Sequence, residues 1–311
     1  MKRLIGIMAA FCGVVLLGAC EESPTEPPKP EPEWAYEGQW HTPCPLMGDW
    51  LAVAPDGNVY LADQDNHCVK YFTSTGSFLG KWGSWGFENG QFVFPEALAI
   101  AANGNVYVTD GTGRVQYFNA GGSFLGKWGS WGTGEGQFYE PTGIAVAGNG
   151  NVYVSDADLN RVQYFTSTGK FLGKWGSSGF GDGEFDVPRG LDVAPNGTVY
   201  VAEQRNYRVQ FFTPKGSFQG KWGSAGTGDG QFAEPLDVDV APNGTVFVAD
   251  CDSDRIQYFT AAGSFQGKWG KNGTGNGEFI SPVSVEMSPD GKRAYVGDEW
   301  NFRVQYFKKR D

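Results

Sequence analysis

From Trp50 onward the chain alternates short apolar runs with polar turns rich in glycine. One representative stretch runs Gly143-Ile144-Ala145-Val146, Asn151-Val152-Tyr153-Val154, Arg161-Val162-Gln163-Tyr164-Phe165 and Lys170-Phe171-Leu172-Gly173-Lys174-Trp175. Apolar residues do not recur at i, i+3 and i+4, as an amphipathic helix requires, and the runs have the length and composition of strands. Gly148-Asn149-Gly150 and Ser167-Thr168-Gly169 separate them, and such turns predict hairpins. The unit is therefore four short antiparallel strands.

That unit repeats. Gly-Lys-Trp-Gly occurs at 80–83, 126–129, 173–176, 220–223 and 267–270, at spacings of 46, 47, 47 and 47 residues. A glycine-rich stretch follows each copy and ends at Phe92, Phe138, Phe185, Phe232 or Phe279, with Pro95, Pro141, Pro188, Pro235 or Pro282 three residues on. Four strands in a period of ~40–50 residues make one propeller blade. First strands are expected near Trp50, Ala97, Gly143, Gly190, Asp237 and Ser284, giving six blades. The last unit ends on its third strand, Arg303 to Phe307, while Tyr36-Glu37-Gly38-Gln39-Trp40 reads like the missing fourth. An all-β, six-bladed β-propeller follows, with residues 36–40 completing the last blade and closing the ring. One domain, 34–311, is expected.

The segment Gly136-Gln137-Phe138-Tyr139-Glu140-Pro141-Thr142-Gly143-Ile144-Ala145-Val146, continued by Asn151 to Asp156 and Asn160 to Gln163, resembles the NHL repeat. The resemblance extends over residues 34–311 and implies a six-bladed propeller. It implies no one function, because relatives include peptide-amidating lyases, RNA-binding modules and extracellular sensor domains.

The N-terminus changes the picture of where the protein works. Lys2 and Arg3 precede an apolar run from Leu4 to Leu17, too short to span a bilayer and patterned as a secretory signal. Leu17-Gly18-Ala19-Cys20 resembles a bacterial lipobox, which implies a leader of residues 1–19 and acylation, with palmitate among the chains, at Cys20. Residues 20–33 carry five prolines and five glutamates, the composition of an extended tether. Removing Lys2 and Arg3 takes the net charge from −11 to −13, so membrane attachment would rest on acyl chains alone. Glu21 follows Cys20 in place of the aspartate associated with inner-membrane retention, so an outer-membrane or cell-surface location is expected in a two-membrane cell. The negative charge also argues against a nucleic-acid partner. A monomer is expected, anchored by lipid only.

Residues recurring in every blade are expected to be structural. Asp63, Asp110, Asp156, Glu203, Asp250 and Asp298 end the second strands, and Arg114, Arg161, Arg208, Arg255 and Arg303 open the third, with Cys68 in the first blade's place. No active site needs six copies, so these residues predict hydrogen bonds that lock the blades. The repeated Trp82, Trp128, Trp175, Trp222 and Trp269 predict packing between blades. Of the cysteines left after export, Cys44 and Cys68 both fall near the closure, and a disulfide between them is expected. Asp250-Cys251-Asp252-Ser253-Asp254 lacks calcium-loop spacing and reads as a solvated turn.

Departures from the repeat carry the candidate chemistry. The penultimate first-strand position reads Ala52, Ala99 and Ala145, then Asp192, Asp239 and Glu286, with Asp237 two residues before Asp239. Carboxylates at one level of a channel repel one another and call for a cation, donors or water. A divalent cation such as Ca²⁺ and a hydrated acidic channel both remain open, with Arg189 and Arg293 as charges able to pair with some of the acids. The second departure is aromatic. Trp85 and Trp131 occupy a link-loop position held elsewhere by Ser178, Ala225 and Asn272, and Trp50, Tyr207, Trp300 and Phe302 fall on the same rim with Arg189. This rim is the expected binding surface for a protein, peptide or glycan. Enzyme chemistry has thin support, since the chain has two histidines, His41 and His67, and no first strand offers one. The expected role is a non-enzymatic binding scaffold of the cell envelope; the alternative is a divalent-metal-dependent hydrolase or lyase with a carboxylate-lined channel.

Overall fold

The computed structural model describes residues 33–42 and 50–310. The leader, Cys20, nearly all of the tether and Cys44 lie outside the described residues, and with Cys44 lies the expected disulfide to Cys68. The described residues form twenty-four strands, β1 to β24 in chain order, in six four-stranded sheets. Five blades are meanders of consecutive strands, and the sixth has the order β1-β24-β23-β22. Strand β1 (Trp34–His41) pairs antiparallel with β24 (Arg303–Lys309), from Trp34 opposite Lys309 to His41 opposite Arg303. The predicted closure is present, and both strands are longer than expected. A register shift between Tyr36 and Gly38 interrupts the pairing, and Glu37 accepts bonds of 2.6 and 2.9 Å from the Arg293 guanidinium.

The inner strands are β2 (Leu51–Val53), β6 (Pro95–Ile100), β10 (Pro141–Val146), β14 (Pro188–Val193), β18 (Pro235–Val240) and β22 (Pro282–Met287). Five of them start two residues earlier than predicted, at the proline itself. Proline is tolerated as the first residue of a strand because its missing N–H falls where pairing begins. Each of these strands then shifts register just after the proline, as between Pro141 and Gly143. β2 is the exception: it spans three residues, although the Trp50 carbonyl still accepts from the Ala62 N–H at 3.1 Å.

Two repeated contacts lock the ring. The first is aromatic. Five outer-strand tryptophans cover a glycine in the third-to-fourth-strand hairpin of the next blade: Trp40 over Gly76, Trp82 over Gly122, Trp128 over Gly169, Trp175 over Gly216 and Trp222 over Gly263, while Trp269 stacks on Trp34 instead. A Cβ at Gly76 would lie 2.6 Å from the Trp40 ring, and its φ of +89° also favours glycine. Tyr107, Tyr153, Tyr200 and Tyr295 cross the same seams, donating to the carbonyls of Ser167, Pro214, Ala261 and Ser74 at 3.0 to 3.1 Å. Tyr295 thereby ties blade six to blade one.

The second contact is the arginine clamp. Arg255 bonds Asp250 at 2.9 Å and spends its other nitrogens on the carbonyls of Thr227, Gly228 and Gln231 in the link loop that enters the blade. Arg114, Arg208 and Arg303 repeat the pattern, with Asp110, Glu203 and Asp298 as partners. Arg161 keeps the three loop carbonyls, while Asp156 instead accepts the N–H groups of Tyr139, Glu140 and Leu159. Lys70 replaces the arginine's charge in blade one and pairs with Asp63. The recurring acids and bases are structural, as their sixfold recurrence implied.

Trp40 is buried at the closing seam against Phe72, Tyr295 and Tyr306. Replacing it with alanine should cost about 3–5 kcal/mol, whereas Leu79→Ala on an exposed outer strand should stay within about 0.5 kcal/mol. Urea unfolding of the two variants checks the difference.

Candidate functional site: the channel and its mouth

The inner strands carry one edge without a strand neighbour, so their N–H groups need other acceptors. In the acidic half of the ring, side chains of one blade supply them to the next. Asp192 accepts the Val240 N–H at 2.9 Å, Asp237 that of Val285 at 3.0 Å, and Asp239 that of Met287 at 3.0 Å. Asp237 also accepts the N–H of Val238 at 2.8 Å. These three predicted cation ligands thus cap backbone donors between blades four, five and six. Sequence inspection missed this role because the capped partners lie 48 residues away.

Asp192, Asp239 and Glu286 face a cavity of about 90 Å³, otherwise walled by Ala52, Ala99, Ala145 and branched aliphatic residues. Asp237 is buried above it and does not line it. The Asp192 and Asp239 carboxyls lie close enough to influence each other's protonation. Burial is the main force raising all four acids. It pushes Asp237 up to about 7, and with repulsion from Asp192 and Asp237 it holds Asp239 well above the carboxylate range. Glu286 is raised likewise, by burial and then by its three acidic neighbours. Among the described residues no base relieves them. Arg189 bonds Gln204 at 2.9 Å and Glu140 at 3.5 Å, and Arg293 bonds Glu37, so neither arginine pairs with the channel acids as the sequence allowed.

Trp50 lies across the channel. Its residue precedes β2 in blade one, yet its ring reaches blade four, where a Cβ at Gly190 would lie 2.8 Å from it. It also packs against the inner-strand cluster that holds Ala97, Ala99 and Ile144. The indole crosses the channel and stops it like a plug. Gly190 is needed here for close approach, since the same Cβ would meet Asp237 as well.

Above the plug, the loop-bearing rim encloses a pocket of about 480 Å³. Trp50 and Trp300 line it together with Glu96, Arg189, Glu234 and Asp252, so two predicted rim aromatics and Arg189 do converge. Trp85 and Trp131 stand outside this pocket on the link loops, 62% and 63% exposed, each edge-on to a neighbouring ring, Phe87 and Tyr139 respectively. Tyr207 and Phe302 are less exposed and hold a positive φ at the end of their turns. The sequence reading missed Phe87, Phe94 and Phe180, all more than half exposed. Phe87 and Phe180 share one link-loop position that is Thr133, Thr227 and Thr274 in the other blades, a departure of the same kind as Trp85.

Burial and then the nearby Glu140 push Glu96 up to about 7. Glu234 is raised by burial, against the pull of its bond from Gln204. Among the described residues, one trio of potential metal ligands has all its ligand atoms within 4.8 Å: Glu234, Cys251 and Asp252, at the edge of this pocket. Burial raises the Cys251 thiol, so it is protonated at neutral pH.

The channel acids fix a pH dependence. In the unfolded chain they ionise near ~4, but in the fold Asp237 holds its proton to about 7, and burial with acidic neighbours holds Asp239 and Glu286 well above the ordinary carboxylate range. The folded state binds more protons across that window, so stability should fall as pH rises from about 4 through 7. Glu286→Gln removes one of these groups without removing a side-chain hydrogen bond among the described residues. It should raise the midpoint of thermal unfolding at pH 8 by about 2 °C or more and leave it nearly unchanged at pH 4. Calorimetry at the two pH values checks this. Trp50→Ala should admit water to the cavity and let Asp239 and Glu286 ionise at lower pH, since burial is the main cause that raises them, read by carbon NMR titration of the carboxyls.

An NHL repeat is recognised at residues 138–165. The fold is similar to that of a streptogramin B lyase, with TM-score 0.61 and 13% identity over 89% of this chain and 98% of that one. It is similar to virginiamycin B lyase from Staphylococcus aureus, with TM-score 0.60 and 12% identity over 88% and 99% of the two chains. A protein of unknown function from Bacteroides thetaiotaomicron gives TM-score 0.66 and 15% identity over 89% and 73%. At these identities the likeness is one of fold. No curated protein matches the chain in sequence. The chain carries the NHL repeat on a closed six-bladed β-propeller.

Proposed function

We propose that this propeller is a non-enzymatic binding scaffold whose loop-bearing rim receives a protein, peptide or glycan, in a cell-envelope lipoprotein anchored through Cys20. The observation that carries the reading is the gathering of exposed aromatic rings on one rim. Trp85, Trp131 and Trp300 are 62%, 63% and 59% exposed, although the repeat does not require tryptophan at any of these positions. Large rings left in water on one face are anchors of the kind that dominate interfaces. Propellers commonly bind proteins. The channel acids fit a structural role better than a catalytic one, because three of them satisfy backbone donors and the cavity they line lies beneath the Trp50 plug.

The alternative, a divalent-metal-dependent hydrolase or lyase, draws on those same acids and on the shared fold of the lyases named above. It requires an ion at Asp192, Asp239 and Glu286, and chelation followed by Ca²⁺ or Zn²⁺ would then lower and restore the unfolding midpoint. The scaffold reading expects no such response.

Trp85→Ala combined with Trp131→Ala should weaken capture of the protein's envelope ligand at least about tenfold, on the scale of an interface anchor. The unfolding midpoint should not move, since both rings are mostly solvated. Pull-down from envelope extracts with wild-type and doubly substituted protein reads the difference, and equal recovery would overturn the rim assignment.

A further inference from the structure

The pocket above Trp50 has a chemistry of its own. Its floor and one wall are indole rings, Trp50 across the channel and Trp300 from the second-to-third-strand turn of blade six. Glu96, Glu234, Asp252 and Glu299 line it against a single base, Arg189. That base is engaged: its Nε donates to Gln204, and Glu140 approaches its Nη1 at 3.5 Å. Gln204 in turn donates to Glu234, so arginine, amide and carboxylate form one chain along the wall. The lining thus carries four acids against one engaged base, and two electron-rich indole rings line it with them. A volume of about 480 Å³ is in the range that encloses a small organic group.

An anion would meet four carboxylates here, and a bare metal ion would leave both indoles without a part. An organic cation uses both features, because its positive charge is attracted to ring faces and to carboxylates while its carbon atoms cover apolar surface. We infer that the mouth pocket binds the ammonium group of an organic ligand between Trp300, Trp50 and the Glu234–Asp252 side. This rests on the rim reading above and gives that rim a ligand class. The remaining exposed aromatics, Trp85 and Trp131, would contact whatever carries the ammonium group.

Choline and its neutral isostere 3,3-dimethylbutan-1-ol, titrated calorimetrically into the intact protein at pH 8, test the inference. Choline should bind at least about tenfold more tightly than the isostere, the scale of a cation–π pair reinforced by charge. Trp300→Ala and Glu234→Gln should each weaken choline several-fold, and Trp300→Phe should restore part of the loss. Trp300 is 59% exposed, so its substitution leaves folding intact, and the comparison of choline with its isostere needs no variant at all. Equal binding of the two probes, or no binding of choline at millimolar concentration, would overturn the assignment. If choline fails while the Trp85/Trp131 double variant still loses its envelope ligand, the cation class falls and the rim reading stands. If choline binds and the double variant keeps its ligand, the rim reading falls and the pocket assignment stands.

Discussion

A propeller of separate four-stranded sheets has to convert a linear chain into a ring, and here that conversion depends on one strand pair. β1 and β24 join residues more than 260 positions apart, and every seam contact elsewhere presupposes that the ring they close has the correct circumference. The seam between blades six and one repeats the geometry of the others: Trp40 takes the place of the Gly-Lys-Trp-Gly tryptophan, and Tyr295 reaches Ser74 as Tyr107 reaches Ser167. The closing pair therefore adds no special chemistry. It completes a pattern that four other seams carry, the seam between blades five and six differing in that Trp269 stacks on Trp34, and the Glu37–Arg293 bond fastens the one irregularity in its register.

The channel shows how local chemistry breaks that symmetry. Where the inner strands of blades four and five carry aspartates, backbone N–H groups of the following blade are satisfied by side chains. Where blades one to three carry alanine, the same level is apolar. Trp50 then seals the mixture, and carboxyls that would ionise freely in water are held protonated by a hydrocarbon-walled cavity and by one another. The mouth pocket has the opposite character: its acids lie beside solvent, amides and an arginine, and two indoles frame them.

Much of this was legible in the sequence because it repeats. A period of 46 or 47 residues reveals blades, and a recurring Arg or Trp identifies itself as structural by its multiplicity. Closure was legible because Gly38-Gln39-Trp40 copies Gly-Lys-Trp. The channel acids were visible as departures, but their partners were not, since a carboxylate bonding to the next blade's backbone leaves no trace in side-chain spelling. Trp50 was read as a rim aromatic, and only the crossing to Gly190 shows that it fills the channel. The strand starts were placed two residues late because the register shift after each proline adds a residue that periodicity does not mark.

The pairing of β1 with β24 also sets an order of events during synthesis. Trp34 and Trp40, both buried in the finished ring, are made long before the strand that covers their backbone. Five blades can form from neighbouring residues as they emerge, but the outer strand of the sixth, β1, has no partner until β24 is available. Until then two tryptophans and the open flank of blade one are exposed together. Any cellular factor that shields nascent apolar surface would have its longest engagement with the N-terminal segment, and release would coincide with the arrival of Arg303 to Lys309.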